Sequence, residues 1–218
     1  EHEFFGHVCD GLAGLPEVDL VGVADPALAG QTVADGVPVV ETVEQLLDLG
    51  LDYLTIACPT GLHKEVGLAT AEAGVAAFIE KPVAHSVPAA QTLVEAFSSR
   101  GITAGVAHIE RYNPALQQLR SRLSAGELGE IYQVVTRRQG PFPARIADVG
   151  VVMDLATHDI DLTAWITGRP FRTVSAQTTR RSGRPHEDMV AVVAGLEGGV
   201  ISNHLVNWLS PFKERCTV

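Results

Sequence analysis

A lysine, a carboxylate and an imidazole are the parts needed to take a proton from an alcohol while a hydride leaves its carbon. All three occur here in informative settings. Glu80-Lys81-Pro82 closes the apolar run Val75 to Ile79. A lysine at the carboxyl end of such a strand stands where an open α/β sheet meets its ligand. Its ammonium group can polarise a hydroxyl or carbonyl oxygen. The following Pro82 fixes the backbone, and a cis Lys81-Pro82 bond would aim the side chain inward. Asp154 and His158 stand four residues apart at the start of an amphipathic run, so they share one helix face. Val151, Val152, Met153, Leu155, Ile160, Leu162 and Trp165 surround them. A polar pair in that setting is partnered or faces a cavity. An unperturbed imidazole has a pKa near neutrality, so His158 suits a general base, with Asp154 orienting it or touching substrate. The same residues also fit a solvated strand end, an acidic helix start and a hydrogen-bonded core histidine. A metal on Asp154 and His158 lacks further ligands at suitable spacing.

Other candidates lie at neighbouring element ends. Asp25, before Pro26, ends a strand-like run. There an acid accepts hydrogen bonds from an adenosine ribose and disfavours a 2′-phosphate, which points to NAD over NADP. It equally serves as a turn residue. Pro59 and Thr60 start a helix, with Thr60 as its N-cap, and His63 in its first turn could line a cofactor cleft. No G-x-G-x-x-G occurs, although Gly6 could be the last glycine of such a loop. In the second half Arg111, Asn113, Arg137, Arg138 and Arg145 supply polar groups, and guanidinium forks bind phosphate bidentately. Asp161, three residues beyond His158, could assist. Each arginine could instead be a solvated surface residue.

The elements that must position these residues follow two rhythms. From Phe4 to Ala107, helices and strands alternate. Helices are expected at Phe4–Leu15, Thr42–Leu49, Thr60–Ala73 and Pro88–Ser99. Strands are expected at Val18–Asp25, Tyr53–Cys58, Val75–Ile79 and Ile102–Ala107. Alternation of this kind means right-handed βαβ units on a parallel sheet. After residue 108 the pattern changes to helices at Asn113–Leu123 and Asp154–Ile166 with strands at Ile131–Arg138, Phe171–Arg180, Asp188–Leu196 and Gly199–Leu209. The last two strands form a hairpin through Glu197-Gly198-Gly199. The fold class is therefore α/β, a Rossmann-like parallel sheet followed by an α+β domain on a mainly antiparallel open sheet.

Composition narrows the class. The 218 residues suffice for one large or two modest domains, and 46% apolar residues supply a sizeable core. A net charge of -10 argues against nucleic acid as the partner. Cys9, Cys58 and Cys216 are scattered without C-x-x-C spacing, which fits a reducing cytoplasm better than a disulfide framework. No stretch reaches eighteen consecutive apolar residues, so a membrane partner is not expected.

Four segments in this order resemble the Gfo/Idh/MocA oxidoreductase family: Val21-Gly22-Val23-Ala24-Asp25-Pro26, Cys58-Pro59-Thr60-Gly61-Leu62-His63, Glu80-Lys81-Pro82, and Asp154 through Asp161. The resemblance implies a truncated NAD(P)-binding Rossmann domain over 1–107 and a truncated substrate and oligomerisation domain over 108–218. It implies hydride transfer between NAD(P) and a sugar or cyclitol carbon; the alternative is a non-catalytic dinucleotide or nucleotide-sugar binding protein on the same fold. Lys81, Asp154 and His158 are then catalytic. Gly6, Asp25, Pro26, Pro59, Thr60, His63, Glu80 and Lys81 hold the cofactor, and no metal is implied. It also implies a homo-oligomer formed through the C-terminal sheet. Gly105 through Pro114, Gly140 through Pro143 and Asp148 through Val152 look in particular like the UDP-N-acetylglucosamine 3-dehydrogenase group. That likeness implies a nucleotide-sugar substrate oxidised at C3, touched by Arg111, Asn113, Arg138, Arg145 and Asp161. The family runs about a hundred residues longer. The chain is thus expected to lack the first strand with its glycine-rich loop and the C-terminal end.

Overall fold

The computed structural model describes residues 2–33, 36–144, 146 and 149–217, and side chains from residue 8 onward. The chain divides into two compact units, residues 1–107 and 108–218.

In the first unit, helix α1 (His2–Ala13) contains Gly6 and precedes strand β1 (Val23–Ala24). Only Val23 and Ala24 of the expected run Val18–Asp25 form a ladder, parallel to strand β3 (Val37–Val40). A short strand β2 (Thr32–Val33) pairs antiparallel with β3 on its other side. Helix α2 (Val43–Leu47) starts at a capping box, in which Thr42 accepts from the Gln45 N–H and the Gln45 side chain accepts from the Thr42 N–H. Strand β4 (Tyr53–Ile56), helix α3 (His63–Glu72), strand β5 (Ala76–Ile79), helix α4 (Val87–Ser98) and strand β6 (Ala104–Val106) complete the unit. β4, β5 and β6 pair in parallel in sequence order, as βαβ units require. The expected parallel sheet is thus present as two three-stranded pieces, one of them mixed. Ile56, Ile79, Leu93 and Phe97 are among the buried residues that pack α3 and α4 onto β4 and β5.

The second unit opens with helix α5 (Pro114–Ser124), capped by the Asn113 side chain. Strand β7 (Gln133–Pro141) follows. Next comes a π-helical turn at Val152–Ala156 that runs on into helix α6 (Thr157–Thr167). The expected single α-helix from Asp154 therefore has a wider first turn, closed by i→i+5 bonds. α6 stops at Gly168, whose left-handed backbone (φ 64°) is the usual helix terminator. Strands β8 (Phe171–Thr179), β9 (Met189–Leu196), β10 (Ile201–Asn207) and β11 (Leu209–Thr217) join β7 in the order β11-β7-β10-β9-β8. Every pairing is antiparallel except β7 with β10. The alternation of β9, with Val190, Val192 and Ala194 buried, lays one sheet face on a core shared with Val151, Ala156, Val206 and Trp208.

Candidate active site

In the first unit, β4 and β5 bring two loops to the same end of a parallel sheet. The Glu80 N–H donates to the Ile56 carbonyl at 2.9 Å, which carries the ladder one residue past β5. Glu80 turns its carboxylate back to accept the Lys81 N–H at 3.0 Å. Lys81 is half-buried, and the Lys81–Pro82 peptide is cis. Pro59 and Thr60 stand at the matching end of β4.

Two expectations change here. Thr60 does not cap the helix: Thr60–Leu62 is a 3₁₀ turn whose own cap position is Pro59, and α3 begins at His63 without a side-chain cap. His63 is not a ring facing an open cleft. It is 1% exposed, its Nδ1 lies 2.9 Å from the Pro82 carbonyl oxygen, and its Nε2 lies 2.9 Å from the Cys58 carbonyl oxygen. The ring braces the Cys58 loop against the Lys81-Pro82 loop. Asp25 shows the turn geometry expected before a proline, with Oδ1 accepting the Ala27 N–H at 2.8 Å. Beside these loops the Cys58 thiol is pushed up to about 11, chiefly by burial and further by Glu65, against the lowering of its own backbone hydrogen bond.

In the second unit, Asp154 and His158 are 6% and 8% exposed. They lie on one helical run whose neighbours Val151, Ala156 and Leu162 are fully covered. The carboxylate and the imidazole are thus nearly covered by the packing around this run.

Two of the arginines expected to meet a substrate, Arg111 and Arg138, are occupied within the unit. Arg111 Nε donates to Asp161 Oδ2 at 2.9 Å, and Nη2 completes a bidentate pair on Oδ1. Asp161 also lies 3.5 Å from His108 Nδ1. Burial and the adjacent Arg111 push the His108 pKa down against the pull of Asp161. Arg138 is 12% exposed and bonds two carboxylates. Its Nε and Nη2 reach Asp159 at 3.2 and 3.1 Å, and its Nη1 reaches Glu110 at 3.1 Å. Arg215 holds the other Glu110 oxygen. Arg138 and Arg111 therefore act first as internal counter-charges, and Asp161 is the partner of one of them. Asn113 caps α5 through a 3.0 Å bond from the Ala115 N–H. Arg137 is exposed beside Glu214, and Arg145 lies outside the described residues. The sequence reading missed His108, Glu110 and Asp159. The signal was present in the acids of His108-Ile109-Glu110-Arg111 and His158-Asp159, which sit in apolar stretches and need cationic partners.

Among the described residues, no group of three or more His, Cys, Asp or Glu could hold a metal ion. No helix among them is long and apolar enough to cross a membrane.

Two family models account for nearly the whole chain. Residues 6–108 match the oxidoreductase family with NAD-binding Rossmann fold, and residues 116–218 match the GFO/IDH/MocA C-terminal domain. The chain belongs to the Gfo/Idh/MocA oxidoreductase family. Within that family it is similar to scyllo-inositol 2-dehydrogenase (NAD(+)) of Bacillus subtilis, at 29% identity over 178 residues, 78% of this chain and 52% of that protein. It is also similar to UDP-N-acetylglucosamine 3-dehydrogenase of Acidithiobacillus ferrooxidans, at 36% identity over 118 residues, 54% of this chain and 36% of that protein. Among solved structures, the WlbA dehydrogenase of Bordetella pertussis, in complex with NADH and UDP-GlcNAcA, superposes with a TM-score of 0.87 at 26% identity. That match covers 96% of this chain and 65% of that one. This Gfo/Idh/MocA chain spans about half the length of the curated relatives it matches, or less.

Proposed function

We propose that this chain carries the catalytic groups of an NAD-dependent dehydrogenase acting on a secondary alcohol of a sugar or cyclitol. Lys81 steadies the alcohol oxygen, His158 takes its proton, and Asp154 orients the imidazole or the substrate. The observation that carries this assignment is the Asp154–His158 pair, an acid and a base four residues apart and nearly covered on one rigid run. Membership of the Gfo/Idh/MocA family supports it.

The strand ends of the first unit fit a dinucleotide. Asp25 uses Oδ1 for its own turn, which leaves Oδ2 to accept from a ribose hydroxyl and favours NAD over NADP. Pro59, Thr60 and the Glu80-Lys81-Pro82 loop would flank the nicotinamide, with His63 behind them as a brace. When bound, NAD supplies the hydride acceptor. A related enzyme of Bacillus subtilis is named for NADP(+), so the choice is tested by comparing the two cofactors.

For the substrate, the 36% identical relative named for UDP-N-acetylglucosamine supports a nucleotide sugar oxidised at C3. The occupied forks of Arg111 and Arg138 favour a second reading, an uncharged cyclitol, because a diphosphate would have to displace internal carboxylates. Reduction of NAD in the presence of UDP-sugars or of inositols separates the two. No reduction with any polyol or sugar contradicts the assignment. We place the chain in the cytoplasm, with the open sheet of the second unit as an oligomer surface.

A further inference from the structure

The run that carries Asp154 and His158 begins without a capping side chain of its own, since Val151 occupies the cap position. The first four N–H groups of a helix need outside acceptors. Two of them are met by one residue that is distant in sequence. The Val151 N–H donates to the Glu187 backbone carbonyl at 3.0 Å, and the Val152 N–H donates to Glu187 Oε1 at 3.1 Å. Glu187 lies in the connection between β8 and β9. Its neighbour Asp188 anchors that connection by accepting the Arg181 and Ser182 N–H groups at 2.7 Å each.

The carboxylate reaches the helix start by lying across Gly150. A Cβ at that position would stand 2.0 Å from Glu187 Oε1 and 2.2 Å from its carboxyl carbon, so a larger residue there would displace the carboxylate. The Gly150 carbonyl in turn accepts the Asp154 N–H at 3.1 Å. One glycine thus seats the Glu187 carboxylate and also carries the carbonyl that receives the Asp154 N–H. A negative charge at this end of the run also complements the helix dipole.

We propose that Glu187 is the positioning residue of the Asp154–His158 pair, and that Gly150 is the space its carboxylate requires. Glu187 touches no reacting atom. It sets where the π-helical turn begins, and therefore where the acid and the base stand along the run. The inference rests on the catalytic roles proposed above for Asp154 and His158.

The test uses the full chain with Glu187→Gln, Glu187→Ala, Gly150→Ala and the Glu187→Ala/Gly150→Ala double variant. Turnover with NAD and the most active polyol is measured, together with the NMR signals of the His158 ring. Glu187→Gln keeps an acceptor oxygen, and its kcat stays within about twofold of the parent. Glu187→Ala and Gly150→Ala each lower kcat by roughly tenfold or more, with KM for NAD little changed, because misplaced catalytic groups cost rate rather than cofactor binding. The double variant is no worse than either single change, since the Gly150→Ala defect acts through the carboxylate. The His158 signals shift in both single alanine variants and not in Glu187→Gln. A Glu187→Ala variant with parental turnover and unshifted His158 signals overturns the proposal. So do defects that multiply in the double variant. If Gly150→Ala does not fold, the contrast between Glu187→Gln and Glu187→Ala decides alone. If the parent oxidises no substrate, the dehydrogenase assignment falls, and the His158 signals still decide whether Glu187 positions the ring.

Discussion

Arg111 Nε donates to Asp161 Oδ2 at 2.9 Å, and the two side chains form a fork-to-carboxylate pair. Both residues are expected substrate contacts from sequence, yet each meets the other. The hydrogen bond to Asp161 raises the Arg111 pKa still further. A pair made this way responds to the substrate's charge only when it opens. Asp161→Asn weakens the hold on the guanidinium and should improve KM for a UDP-sugar while leaving KM for an inositol within about twofold. Steady-state kinetics on both substrates check this. Equal changes for the two would assign Asp161 to the sugar ring itself.

His63 ties the Cys58 and Pro82 carbonyls together from a position 1% exposed. His63→Leu keeps the volume and removes the ring N–H, leaving a carbonyl short of its donor at about 1–3 kcal/mol. Urea unfolding should show that loss. His63→Gln, with one amide donor group, should recover part of it. NAD affinity should fall in His63→Leu more than in Leu116→Ala, a change in the other unit. Parental NAD affinity in His63→Leu would show that the brace does not set the cofactor loops.

Asp188 carries an acid-stability term. Burial alone would raise its pKa, but the Arg181 and Ser182 N–H groups outweigh burial and hold it below the usual value of 3.8. A folded pKa below the unfolded one contributes stability that is fully present above the unfolded value. That stability is lost as pH falls through the folded value. Thermal melts from neutrality down through the acid range should therefore fall less steeply for Asp188→Asn than for the parent, from a lower starting Tm.

Cys58 stands in the proposed cofactor loop but is a poor nucleophile, because its thiol is pushed up to about 11. Only the thiolate reacts with alkylating agents, so at about pH 8 the exposed Cys216 should label well ahead of Cys58. Mass spectrometry of the alkylated chain reads the order directly. Rapid labelling of Cys58 would show that its loop opens.

Much of the fold was legible in the sequence. The cores of α3, α4 and α5 and the β9–β10 hairpin stand close to the positions their periodicity and turn residues imply. β3 was not legible because Pro38, which lacks an N–H, argues against a strand, yet Pro38 pairs with Thr32 at the centre of a three-stranded piece. β1 is short because a strand needs a neighbour, and only Val23 and Ala24 find one, at Val39 and Val40. The π-turn at Val152–Ala156 was hidden because its residues read equally well as α-helix, while the Glu187 groups that meet its start come from 35 residues away. The candidate site divides along the same line. The local Glu80-Lys81-Pro82 and Asp154/His158 patterns could be read directly. The pairings of Arg138 with Asp159 and Glu110, across 21 and 28 residues, exist only in the folded chain.

The central claim is that Lys81 acts on the alcohol and not on the cofactor's binding. The most direct measurement is pre-steady-state NAD reduction by the parent and by Lys81→Ala, with NAD affinity measured alongside. The catalytic assignment predicts that the hydride-transfer rate falls by roughly a hundredfold or more while NAD affinity stays within about twofold. An unchanged transfer rate in Lys81→Ala would contradict it.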